Sequence, residues 1–132
     1  MTEIASLVLD SEGLSAWVED YRKVSMIMDS AQRKKTDVVI SANTIIEVTH
    51  AGTDMARLSW LLSRIKVEPV TAQSAKAAAK LLTEAGLHGH KYAIDATVAE
   101  TALRQPPPVA VLTSDADDLR KLCGPRVKVL RL

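Results

Sequence analysis

Short aliphatic runs at 6–9, 37–40, 65–70, 109–113 and 127–130 punctuate the chain, and stretches of helical periodicity separate them. Apolar runs this short, mostly without polar alternation, are what strands look like when both faces of their sheet are covered. The run at 65–70 alternates, and Pro69, which has no N–H to donate, places it at an edge. Between the runs, Leu14, Trp17, Val18, Tyr21, Val24 and Met28 recur at helical spacing. They predict one helix from 14 to about 31, with Gly13 in the turn before it. Ser41, Ala42 and Asn43 offer caps for a helix that carries Ile45, Ile46, Glu47 and Val48. Thr53 or Asp54 caps the next, from 55 to 64. Thr71 caps an Ala-rich helix to Ala85, which Gly86 ends. After a loop at 87–91, a helix from 94 to 104 runs until Pro106, Pro107 and Pro108 stop it. A short helix at 115–122 precedes the final strand. Strands that alternate with helices predict an α/β fold, a three-layer sandwich with a mainly parallel five-stranded sheet flanked by helices.

At 132 residues the chain is expected to form one domain, 1–132, around one core. That core is aliphatic, because Phe is absent; Trp17, Tyr21 and Trp60 read as core or interface residues. Cys123 is the only cysteine, which excludes an intrachain disulfide and fits a reducing compartment. No basic leader opens the sequence, and no apolar stretch approaches the ~20 residues that span a bilayer. A cytoplasmic location is therefore expected, with no membrane partner. The formal net charge of +1 removes bulk basicity as a reason to bind nucleic acid. Any such reading must rest on local patches and on a bound cation, which inverts the charge of an acidic site.

The acids fall where an α/β sheet binds its ligands, outside the carboxyl ends of the strands. Asp10 directly follows the first run, and Asp115 follows the fourth, with Asp117 and Asp118 just beyond. Glu47 lies on the helix after the second run, and Asp95 near the start of the helix that leads to the fourth. Asp10, Glu47 and Asp95 have apolar sequence neighbours, where a charge is costly unless paired or bound to a cation. Carboxylates brought together raise one another's pKa, and a hard divalent cation relieves the conflict. Taken singly, each has a plainer role: Asp10, Asp95 and Asp115 as helix caps, Asp10 in a salt bridge, Glu47 as an arginine's partner. The constellation carries the inference.

The four segments Leu7-Val8-Leu9-Asp10-Ser11, Ile45-Ile46-Glu47-Val48, Ile94-Asp95-Ala96-Thr97-Val98-Ala99 and Leu112-Thr113-Ser114-Asp115-Ala116-Asp117-Asp118-Leu119 together resemble the PIN domain, most closely its VapC branch of toxin ribonucleases. Each segment is weak alone, but all four occur in order across the whole chain. The resemblance implies that Asp10, Glu47, Asp95 and Asp115 hold Mg2+ or Mn2+, with Asp118 available to a second ion. It implies that Thr113 and Ser11 orient the acids or a water. The expected activity is endoribonuclease hydrolysis of RNA phosphodiester bonds by a metal-activated water. The expected partners are RNA, a VapB-like antitoxin and a second copy in a homodimer. Which of Asp117 and Asp118 faces the site stays open, and so does any role for His88 and His90, which fit a solvated loop.

Lys91, Arg120 and Lys121 lie nearest the acids in sequence and are the candidate contacts to an RNA backbone. Their plainer reading is solvated surface charge. Neither Ser11 nor Ser114 has a histidine in any recognisable triad order. A phosphoacceptor signalling domain wants an Asp at the end of a central strand; the third run ends Glu68-Pro69-Val70-Thr71 instead. The remaining alternative is a catalytically silent PIN domain that acts as a protein- or RNA-binding module.

Overall fold

The computed structural model describes residues 3–132. Five strands, β1 (Ser6–Leu9), β2 (Asp37–Ser41), β3 (Lys66–Glu68), β4 (Val109–Thr113) and β5 (Val127–Arg131), form one sheet in the order β3-β2-β1-β4-β5. Every pairing is parallel. Along each inner strand, successive side chains enter different cores. Leu7, Leu9, Val38, Ile40, Ala110 and Leu112 pack on one face, and Val8, Val39, Val109 and Val111 on the other. That two-sided burial is why these strands lack polar alternation.

Helices α1 (Ser11–Val18), α2 (Arg22–Arg33), α3 (Ala42–Val48) and α4 (Met55–Leu62) serve the first core. Helices α5 (Ala72–Ala85), α6 (Gly89–Leu103) and α7 (Ala116–Cys123) serve the second. The result is the three-layer α/β sandwich expected. β3 is an edge strand, with Pro69 just past its end. Thr71 caps α5 through the Ser74 N–H, and Gly86 ends that helix with φ of 69°. Asp54 caps α4.

Three local expectations are corrected. The helix expected over 14–31 is two helices, broken where Asp20 adopts φ of 60°. Aspartate tolerates that region, and its carboxylate accepts the Ser25 hydroxyl at 2.6 Å across the break. Arg57, from α4, closes the end of α1: its guanidinium donates to the Trp17 carbonyl at 2.9 Å and the Val18 carbonyl at 2.8 Å. The Trp17 side chain is buried in the first core, whereas Tyr21 and Trp60 are exposed. Gly13 sits inside the first turn of α1, not before the helix. A Cβ there would stand 3.0 Å from the Leu112 carbonyl oxygen, so the bare residue lets α1 lie against β4. The loop at 87–91 is largely the first turn of α6, which begins at Gly89 and kinks at Tyr92.

Candidate active site

β1 delivers Asp10 to the carboxyl edge of the sheet, and the start of α1 fixes its orientation. Asp10 is 2% exposed. Its Oδ1 accepts the Gly13 N–H at 2.9 Å, capping α1, and its Oδ2 accepts the Thr113 hydroxyl at 2.5 Å. Thr113, the last residue of β4, is itself buried, and its hydroxyl oxygen accepts the Asp115 N–H at 2.8 Å. One hydroxyl thus ties the ends of two neighbouring strands together and sets the path of the chain into α7. Burial pushes the Asp10 carboxyl above its ordinary 3.8; the Thr113 and Gly13 bonds oppose that rise, and the charges of Asp115 and Glu12 add to it.

Asp95 lies within α6, past the kink, so it does not cap that helix. Burial, and then the charges of Asp115, Asp10, Glu47 and Asp118, push it up to about 7. Four other carboxylates therefore act on this one side chain. Asp117 is absent from that set, and its carboxylate is turned to Arg120 at 3.2 Å and Arg131 at 3.5 Å. Of the two neighbouring acids, Asp118 shares the field of the cluster.

Two expectations about these acids need correction. Glu47 is exposed rather than embedded, and Ile46 beside it is 71% exposed. Successive residues on a helix point about 100° apart, so apolar sequence neighbours do not enclose the residue between them. Asp115 occupies the N-cap position of α7, yet its side chain makes no capping hydrogen bond there. Ser11 opens α1, and among the described residues its hydroxyl makes no hydrogen bond to Asp10.

Among the described residues, no three His, Cys, Asp or Glu side chains stand in a ready ligand set for a cation. The charge itself is uncompensated: among the described residues none of Asp10, Glu47, Asp95, Asp115 or Asp118 forms a salt bridge. Elsewhere the chain does pair its half-buried acids, as where Arg104 bridges Glu68 and Glu100. An all-oxygen, anionic donor set without protein cations suits a hard divalent ion.

His88 and His90 are exposed at the start of α6. Lys91 is also exposed and lies over the Tyr92 ring at 5.2 Å. A concavity of about 870 Å3 lies at the opposite end of the sheet, between Ile27 and Ala31 of α2 and the starts of β1, β4 and β5. None of the clustered carboxylates lines that groove. Sequence reading passed over Arg131, whose neighbourhood with α7 only the sheet order creates.

A parallel α/β sandwich with unpaired carboxylates gathered at the carboxyl edge of its central strands defines an acid-site α/β domain. The family model for the PIN domain matches residues 7–125, and the chain belongs to that family. No curated protein matches the sequence at a significant level. Among solved structures, the chain is similar to one in VapBC2 from Rickettsia felis bound to a DNA fragment from its promoter, with a TM-score of 0.71 and 15% identity, covering 96% of this chain and 98% of that one. It is also similar to a chain in FitAcB from Neisseria gonorrhoeae, with a TM-score of 0.63 and 21% identity, covering 94% and 96%. Among the described residues, no helix is long and apolar enough to cross a membrane.

Proposed function

We propose that residues 1–132 form a single nuclease domain, a VapC-like endoribonuclease that hydrolyses RNA phosphodiester bonds with Mg2+ or Mn2+. PIN domains are generally divalent-metal-dependent nucleases, and the family match brings that expectation to this chain. The observation that carries the reading is Asp95: four carboxylates bear on it, and among the described residues none of the five forms a salt bridge. Asp10, Asp95 and Asp115 would hold the ion, with Glu47 and Asp118 available to complete or extend the set. A divalent cation supplies Lewis acidity and positive charge for attack of water on phosphorus. Thr113 and the Gly13 N–H keep both Asp10 oxygens in fixed directions. Glu47, exposed at the margin, accepts a hydrogen bond from the attacking water and orients it.

The similarity to chains of VapBC2 and FitAcB supports a VapB-like antitoxin as partner; a homodimer and a cytoplasmic location are further parts of the proposal. Asp10→Asn should abolish Mn2+-dependent cleavage of total RNA while the circular dichroism spectrum stays unchanged. Full cleavage by that variant refutes the site. The absence of a ready ligand set among the described residues favours a second reading, a catalytically silent binding module. Calorimetric titration with Mn2+ separates the two, since a silent domain releases no site-specific heat.

A further inference from the structure

We infer that Arg131 and Arg120, held by Asp117 at the lip of the carboxylate edge, grip a phosphate of the RNA backbone, and that Asp117 sets the strength of that grip. The inference rests on the nuclease reading above. Arg131 is the register partner of Thr113 in the β4–β5 pairing, which puts the two backbones about 4.8 Å apart. Thr113 is the residue that holds Asp10. Arg131 is therefore one strand away from the residue that anchors the site, on the same edge of the sheet. From the first turn of α7, Asp117 reaches Arg120 at 3.2 Å and Arg131 at 3.5 Å, while Asp118 beside it belongs to the field at Asp95.

The charges at this lip do not cancel, because two guanidinium groups face one carboxylate. An RNA strand that approaches the carboxylates is repelled by them and needs cations alongside. Two other arginines hold structural partners instead: Arg57 the end of α1, and Arg104 Glu68 and Glu100. Side-chain exposures of 54% for Arg120, 56% for Arg131 and 79% for Asp117 leave the trio open to solvent. Exposed ion pairs are weak, so phosphate oxygens can displace the Asp117 carboxylate. The planar guanidinium fork suits them better than an ammonium does. Asp117 then keeps the two arginines in place before RNA arrives and competes with the phosphate for them.

The test is steady-state cleavage of a fluorogenic single-stranded RNA with Mn2+ across a range of salt. Arg131→Ala should raise KM about five- to tenfold with kcat within about twofold, and lower the slope of log KM against log salt by about 0.7, the single-strand value for one phosphate contact. Arg131→Lys should recover part of the loss. Asp117→Asn should act in the opposite sense, lowering KM about two- to threefold and steepening the salt slope. A merely structural trio would make both substitutions harmful in the same direction. Unchanged KM in Arg131→Ala, or a raised KM in Asp117→Asn, overturns the inference while leaving the nuclease reading intact. If the wild-type protein cleaves no RNA, the nuclease reading falls. The variants are then compared by fluorescence anisotropy on the same RNA, where equal affinities overturn the grip as well.

Discussion

Removing one charge from the carboxylate cluster should make the metal-free protein more stable, and Asp95→Asn is the cleanest case because the side chains have nearly the same shape. The Asp95 carboxyl is raised from 3.8 to about 7, so between those values the folded state holds a proton that the unfolded state releases. Stability therefore falls as pH rises through this window, and the penalty is complete above it. Taken whole, the interval corresponds to about 4 kcal/mol at about 1.4 kcal/mol per tenfold change in acidity. Asp95 is only partly buried, and solvent screening reduces this to about 1–2 kcal/mol. For a domain of this size that is a rise in Tm of about 3–7 °C. Thermal unfolding in EDTA at pH 8 should show the full rise, and the same comparison at pH 4 should show little of it. Adding Mn2+ should raise the Tm of the wild type more than that of Asp95→Asn. A variant less stable than wild type at pH 8, or a difference that does not change with pH, refutes the reasoning.

Three further outcomes follow from local geometry. Gly13→Ala should destabilise by about 1 kcal/mol despite the better helix propensity of alanine, because the added methyl meets the Leu112 carbonyl, which already accepts the Asp10 N–H; urea unfolding checks this. Arg57→Ala should cost about 1–3 kcal/mol by leaving the Val18 carbonyl without its donor and the Trp17 carbonyl with backbone N–H donors alone, with the loss visible as faster hydrogen exchange in α1. Cys123 is buried, and burial pushes its thiol up to about 12, so a thiol reagent at pH 8 should modify it only after denaturation.

Much of the fold was legible because both faces of the inner strands are covered, which writes them as plain aliphatic runs. Asp10 and Asp115 could be placed from the chain alone, since an acid just after such a run must emerge at the carboxyl edge. The break between α1 and α2 was not legible. Trp17, Tyr21, Val24 and Met28 stay in helical phase across it, and only the exposure of Tyr21, at 61%, betrays that the phase is coincidental. Arg57 could not be assigned either, because its partners lie 39 and 40 residues away. The environment of Glu47 was misread because flanking residues along a helix are not neighbours in space. Arg131 was missed for a related reason: it joins α7 only once β5 has taken its place beside β4.

The double tether on Asp10 divides the acids into a fixed member and movable ones. A carboxylate with each oxygen already spoken for by a separate donor has almost no rotational freedom left to lose when something docks against it. Glu47 and Asp115, standing in solvent, still have theirs. A ligand at this edge would therefore find one carboxylate already set when the chain folds, while the exposed ones would still have rotational freedom to give up.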